Sequence, residues 1–155
     1  MKIVGIGEYI ISSNNEDIIK TYSLGSCVAI TMHCPKRRVS GMVHIALPSP
    51  ESEQDSIERP AHFAETAIPI MLDKFCFTYG CSIEDLKIGV FGGAWSSRDD
   101  DVFKIGLRNV EAIKSILANK GMTISLNDTG GYCSRTVEID VGTGKIKMDS
   151  QPLII

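Results

Sequence analysis

The residues best suited to chemistry lie between Lys20 and Pro48, centred on Leu24-Gly25-Ser26-Cys27 with His44 downstream. A cysteine becomes a nucleophile when its pKa is lowered or its proton is removed, and an imidazole within hydrogen-bond reach can do both. His44 is the candidate imidazole for Cys27. Gly25 permits a sharp turn, after which the amides of Ser26 and Cys27 can point at an oxyanion. Thr21, one short loop upstream, can complete the set by fixing the imidazole's tautomer through its hydroxyl or its main-chain carbonyl. The same residues also fit a plainer role, Cys27 as a small buried hydrophobe and His44 as a satisfied core histidine.

Geometry is compatible with the pairing and leaves both readings open. Segments 28–32 and 39–45 both read as strands, joined through Pro35-Lys36-Arg37-Arg38. An antiparallel hairpin would bring Cys27, at the start of the first strand, to the neighbourhood of His44, near the end of the second.

Around this hairpin, residues 2–12 read as one or two short strands, with Gly5 and Gly7 serving a turn or bulge rather than a dinucleotide fingerprint. Residues 12–17 form a polar turn, and 48–60 a proline-rich loop that is either a rim around the site or an ordinary solvated connection. Pro60 suits the first turn of a helix over 61–79, with Ala64, Ala67, Ile68, Met71, Leu72 and Phe75 on one face, a kink at Pro69 and a stop at Gly80. His62 on its first turn has a solvated or capping role and no catalysis, and Cys76 and Cys81 read as buried apolar residues.

Residues 86–91 read as a buried strand ending at Gly92-Gly93, where paired glycines either bring backbone close to a ligand or make a plain turn. Trp95 is either a core anchor or an exposed recognition residue. Asp99-Asp100-Asp101 lacks calcium-loop spacing and reads as a solvated turn. Leu107, Val110, Ile113 and Leu117 mark a second helix ending near Gly121. A strand over 123–126 precedes a turn over 127–131, in which Asp128 and Thr129 either line the cleft of Cys27 or cap the turn. Segments 136–141 and 145–148 alternate across Gly142-Thr143-Gly144 as a hairpin.

The 155 residues suit one domain with one sizeable core. Hydrophobic residues at 43%, charged residues at 23% and a formal charge of −3 describe a globular chain and give no reason to expect nucleic acid or an anionic membrane as ligand. Five cysteines without a CxxC pair argue against a disulfide framework or a zinc finger, and no cofactor or metal is expected. No stretch approaches the roughly 20 apolar residues of a membrane span, and the N-terminus is a poor signal peptide, so a reducing cytoplasm is the expected location. Many strands with two clear helices predict a mixed α+β chain rather than a doubly wound parallel sheet.

Thr21-Tyr22-Ser23-Leu24-Gly25-Ser26-Cys27-Val28-Ala29, followed by Gly41-Met42-Val43-His44-Ile45-Ala46-Leu47-Pro48, closely resembles the CheD family of chemoreceptor glutamine deamidases. Gly5-Ile6-Gly7-Glu8-Tyr9, Ala64-Glu65-Thr66-Ala67, Phe91-Gly92-Gly93-Ala94, Ile105-Gly106-Leu107-Arg108-Asn109-Val110-Glu111-Ala112 and Asp128-Thr129-Gly130-Gly131 continue the match in the family's order. The resemblance implies a single domain over 1–155, built as central mixed β-sheets in a sandwich with helices packed outside, like toxin-type glutamine deamidases. It implies protein-glutamine glutaminase activity on the cytoplasmic domains of methyl-accepting chemotaxis receptors, with hydrolysis of receptor methyl esters as a further activity. The implied roles are Cys27 as nucleophile, His44 as base and then acid, and Thr21 as the group orienting His44, with Gly25, Ser26, Gly92, Gly93, Asp128 and Thr129 around them. A CheC-type phosphatase is the implied partner, and the alternative function is a binding module that regulates such a phosphatase. Trp95-Ser96-Ser97-Arg98-Asp99-Asp100-Asp101 is more acidic than in relatives, and His33-Cys34-Pro35 replaces an acidic turn.

Overall fold

A computed structural model describes residues 1–96 and 104–153, so the expected turn at Asp99-Asp100-Asp101 lies outside the described residues. In chain order the elements are β1 (Lys2–Ile3), β2 (Tyr9–Ser12), β3 (Ile18–Leu24), β4 (Val28–Cys34), β5 (Val39–Ile45), α1 (Glu53–Glu58), α2 (Ala64–Asp73), β6 (Lys87–Gly92), α3 (Ile105–Asn119), β7 (Ile124–Thr129), β8 (Cys133–Asp140) and β9 (Ile146–Pro152). They build two sheets, ordered β1-β3-β8-β9 and β2-β5-β4-β6-β7. Both are mixed, with one parallel pair each, β1 with β3 and β6 with β7.

The sheets face each other across Ile19 and Leu24 from β3 and Val137 and Ile139 from β8, packed on Ala29, Met42 and Phe91 of the other sheet. The second face of the larger sheet carries Val28, Ile30, Met32, Val43 and Ile45 against Ala67, Ile68 and Met71 of α2 and Val110, Ile113 and Leu117 of α3. The result is an α+β sandwich of three layers: small sheet, large sheet, helices. Because both faces of β4 and β5 are covered, every residue of both strands is buried. Burying each large aliphatic side chain there contributes about 1.5–3 kcal/mol. Alternation sends Ala29, Thr31 and His33, and Ser40, Met42 and His44, toward the inter-sheet layer.

The structure departs from the sequence expectations where long-range pairing overrides local pattern. The helix expected over 61–79 is split. A 3₁₀ turn over Pro60–His62 ends at Phe63, whose backbone is extended at φ −120° and ψ 136°. Phe63 bridges to Leu47, and Ala64 N–H donates to Leu47 O at 3.0 Å, bonds that no periodicity can announce. Pro69 does lie inside α2, which passes into a π-helical turn over Lys74–Thr78. The 48–60 loop contains α1, capped by Ser52 Oγ accepting from Asp55 N–H at 3.1 Å. Its six residues bury none of their number, so they leave no apolar signal. Residues 127–129, expected in a turn, extend β7 because β6 pairs with it as far as Thr129.

Candidate active site

Thr21 is fully buried on β3, Tyr22 and Ser23 are exposed, and Leu24 is fully buried again. Strict alternation would point Ser23 inward. A register shift between Thr21 and Leu24, with Ser23 at φ 52°, places both Thr21 and Leu24 on the inter-sheet side. The chain then turns through Gly25-Ser26-Cys27 into β4. All three carbonyls of this turn are held. Gly25 O accepts from Ala94 N–H at 2.8 Å, Ser26 O from Asn109 Nδ2 at 2.9 Å, and Cys27 O from Gly93 N–H at 2.9 Å.

Gly92 and Gly93 make this close approach possible. Gly92 sits at φ 111°, and a Cβ there would collide with Cys27 O; Gly93 sits at φ 64°, where a side chain would meet Val110 of α3. The paired glycines therefore press backbone against the cysteine turn and the helix.

Across β4 and β5, Ala29 is the direct partner of His44. Cys27, two residues before Ala29 on the same face, is a diagonal neighbour of His44, a relation within reach of side chains. Cys27 is half-buried and packs against the inter-sheet cluster.

His44 is held from several sides. Its N–H donates to Glu8 O at 3.1 Å, and its carbonyl accepts from Gly7 N–H at 2.8 Å, so the segment between β1 and β2 backs the strand. Its Nδ1 lies 2.8 Å from Thr21 Oγ1, which in turn donates to Val4 O at 2.7 Å. A hydroxyl has one hydrogen, and the carbonyl can only accept. Thr21 therefore spends its hydrogen on Val4 and accepts from His44, which puts the imidazole proton on Nδ1. Nε2 is left as a bare lone pair, buried and without a hydrogen-bond partner among the described residues.

Burial, and then the neighbouring His62, pushes the His44 pKa down to about 4. Burial also raises that of Cys27. At neutral pH the pair is thus thiol and neutral imidazole, with a proton acceptor already in place. His62 lies over Gly7, where any Cβ would strike its ring, and its Nδ1 is also buried and unpartnered.

Asp128 and Thr129 lie on β7 opposite Phe91 and Gly92. Asp128 Oδ1 accepts from Arg135 Nε at 3.1 Å, while Nη2 of the same guanidinium donates to Gly130 O at 2.8 Å. Asp128 is therefore part of a latch on the glycine turns, and neither residue has a bond to Cys27 or His44. Trp95 is exposed at 45%, edge-on to Tyr132 with ring centroids 5.7 Å apart. Of the two roles considered for Trp95, it occupies the surface one. The loop after β5 (Leu47, Pro48, Pro50) and α3 (Ile105, Arg108, Ala112) enclose an open groove of about 760 Å³, whose lining includes neither Cys27 nor His44.

Sequence reasoning passed over Asn109 and Arg135. Each is a polar residue on a buried face, Asn109 with Val110 and Ile113 on α3 and Arg135 in alternation with Val137 and Ile139 on β8. That misfit with its apolar neighbours is the signal that could have marked them. Among the described residues no three His, Cys, Asp or Glu side chains are grouped to hold a metal ion, and no helix is long and apolar enough to cross a membrane.

Fold and site together describe an α+β sandwich in which Thr21 and His44 are bonded across the inter-sheet layer and Cys27 stands diagonal to His44. Residues 46–150 match the family model CheD, described as CheD chemotactic sensory transduction; the match begins just after His44. The chain is 40% identical over 149 residues to the "Probable chemoreceptor glutamine deamidase CheD" of Syntrophotalea carbinolica, covering 94% of this chain and 91% of that protein. It is 37% identical over 145 residues to the "Chemoreceptor glutamine deamidase CheD" of Thermotoga maritima, covering 94% and 88%. The chain belongs to the CheD family. Among solved structures it is similar to the Bacillus licheniformis hypothetical protein YfiH, with TM-score 0.51 and 11% identity over 79% of this chain and 49% of that one, a likeness of fold over about half of YfiH.

Proposed function

We propose that this protein is a protein-glutamine deamidase that converts glutamines on chemoreceptor cytoplasmic domains to glutamate and ammonia. Cys27 is the nucleophile, His44 the base and then the acid, and Thr21 the group that orients His44. One observation carries this reading: Thr21 and Val4 O lock the His44 proton on Nδ1, leaving Nε2 bare on a residue to which Cys27 is the diagonal neighbour. The printed names of the relatives supply the substrate class.

In the first half-reaction, Nε2 of His44 takes the Cys27 thiol proton while sulfur bonds to the carboxamide carbon. The carbonyl π pair becomes an oxyanion, received by the amides of Ser26 and Cys27. His44 returns the proton to the departing nitrogen, the C–N bond breaks, and ammonia leaves a thioester. In the second, His44 takes a proton from water, hydroxide adds to the thioester carbon, and the C–S bond breaks with the proton returned to sulfur. A receptor glutamyl methyl ester follows the same path with methanol as leaving group. The whole chain, 1–155, acts as one deamidase domain in the reducing cytoplasm, where a free thiol persists.

Mass spectrometry of receptor cytoplasmic fragments incubated with the protein tests the proposal. Glutamine-to-glutamate conversion is expected with wild type and Cys76→Ala, and its loss with Cys27→Ala. No conversion on any receptor, with binding to a CheC-type phosphatase retained, would instead assign the protein as a regulatory binding module.

A further inference from the structure

Asn109 is fully buried on the apolar face of α3, and its Nδ2 donates to Ser26 O at 2.9 Å and Ala46 O at 3.0 Å. A primary amide nitrogen carries two hydrogens, so both are used. Its Oδ1 is buried, with no partner among the described residues. Holding a polar side chain out of water with one end unsatisfied costs stability, so the two bonds it does make call for an explanation beyond packing.

The explanation lies in what it grips. Ser26 O is the middle of the three held carbonyls, and its neighbours are held by backbone amides of Ala94 and Gly93, which no substitution other than proline removes. Asn109 is the side chain among the three pins. In a trans peptide the C=O and the following N–H point in opposite directions. Holding Gly25 O and Ser26 O against the wall formed by 93–94 and α3 therefore turns the N–H groups of Ser26 and Cys27 away from it, and neither donates to an acceptor among the described residues. The second bond, to Ala46 O, fastens the same side chain to the chain two residues beyond His44. Helix α3 is itself seated without slack, since a Cβ at Gly106 would strike Ala94 O.

We propose that Asn109 is the positioning residue of the oxyanion site: it aims the Cys27 N–H at the developing oxyanion and keeps that peptide in register with His44. This rests on the deamidase reading for the identity of the oxyanion. It makes no contact with substrate and acts through the Ser26–Cys27 peptide.

Two reactions of Cys27 separate the proposal from that reading and from a purely structural role. An aliphatic aldehyde adds to the thiol, sulfur bonding to carbon and the thiol proton passing to oxygen, and the resulting hemithioacetal oxygen occupies the oxyanion position. Iodoacetamide alkylates the same sulfur with loss of iodide and forms no oxyanion. In Asn109→Ala and Asn109→Ser, kcat on receptor glutamine is expected to fall about 10²–10³-fold, as for loss of an oxyanion donor, with KM within about threefold. Aldehyde affinity is expected to fall at least about tenfold while the iodoacetamide rate stays within about threefold. Equal loss of alkylation and aldehyde binding, a kcat within about threefold of wild type, or failure of both variants to fold would overturn the proposal. If wild type converts no receptor glutamine, the deamidase reading fails, but the aldehyde-to-iodoacetamide contrast still decides the role of Asn109. A wild type that forms no aldehyde adduct overturns it.

Discussion

His33 and His44 look into the same inter-sheet layer from opposite ends of the β4–β5 hairpin, and each is backed by a hydroxyl that donates to a main-chain carbonyl. Thr21 Oγ1 stands 2.8 Å from His44 Nδ1 and 2.7 Å from Val4 O; Ser40 Oγ stands 2.7 Å from His33 Nδ1 and 3.0 Å from Val141 O. Both histidines are buried, and burial lowers both pKa values, with Lys87 adding to the effect at His33 and Asp140 opposing it. They share a tautomer by the same one-hydrogen argument. What differs is the space in front of the ring. At His33 the 142–144 turn closes over it, so that a Cβ on Gly144 would collide with the imidazole. Diagonal to His44 stands a half-buried cysteine, on a turn whose carbonyls are pinned and whose Ser26 and Cys27 amides donate to no acceptor among the described residues. A hydroxyl-backed histidine is thus a structural device as readily as a catalytic one, and in the proposed function the cysteine on its pinned turn makes the difference.

The largest test of that contrast is deletion at each end. Cys27→Ala and His44→Ala are expected to lower receptor deamidation by about 10⁴-fold or more, as for removal of a triad member, whereas His33→Gln leaves it within about threefold. Turnover measured by ammonia release checks this, and equal losses at His33 and His44 would erase the distinction.

Next comes the hydroxyl. Thr21→Val keeps the shape but frees the His44 tautomer, with an expected loss in kcat of about 10²-fold or more and a smaller change in stability. Ser40→Ala performs the same deletion at the other end and is expected to cost about 1–3 kcal/mol in denaturant unfolding with activity unchanged. A smaller effect concerns pH. Activity should hold on acidification until about pH 4, where His44 protonates. His62→Gln removes the neighbour that, after burial, helps hold the His44 pKa down, and should move this acid limb to higher pH in a kcat/KM profile, whereas His33→Gln should leave the limb where it is.

The smallest effect is on pH-dependent stability. For both histidines the folded pKa lies below the unfolded value near 6.5. The unfolded chain therefore takes up protons first as pH falls, and the stabilising contribution, full above that value, declines toward the folded pKa, about 4 for His44. Replacing either histidine with Gln should flatten the fall of melting temperature between pH 7 and pH 5, and a slope unchanged by both replacements would contradict the burial argument.

Much of the scaffold was legible because it is written in local periods. β4, β5 and the β8–β9 hairpin follow from runs of β-branched residues and turn glycines, and α3 from Leu107, Val110, Ile113 and Leu117 ending at Gly121, which takes φ 71°. Helix α1 was missed because it buries nothing, and the break at Phe63 because its partner, Leu47, lies across a loop. Asn109 and Arg135 escaped notice because their partners, Ser26 and Ala46 for one, Gly92 and Asp128 for the other, are far along the chain.

The sequence by itself determined the short hairpin that sets Cys27 diagonal to His44, since a period of two and a brief connection leave little freedom in register. It also carried the motifs that mark the family. Only the tertiary structure decided the state of the site. Thr21 comes from the opposite sheet, Val4 O from the N-terminal crossing and Asn109 from a helix on the far face, and their hydrogen bonds depend on how three layers stack. A proton sits on Nδ1 rather than Nε2 because Thr21 has one hydrogen and Val4 O takes it, a choice made by packing across the sandwich.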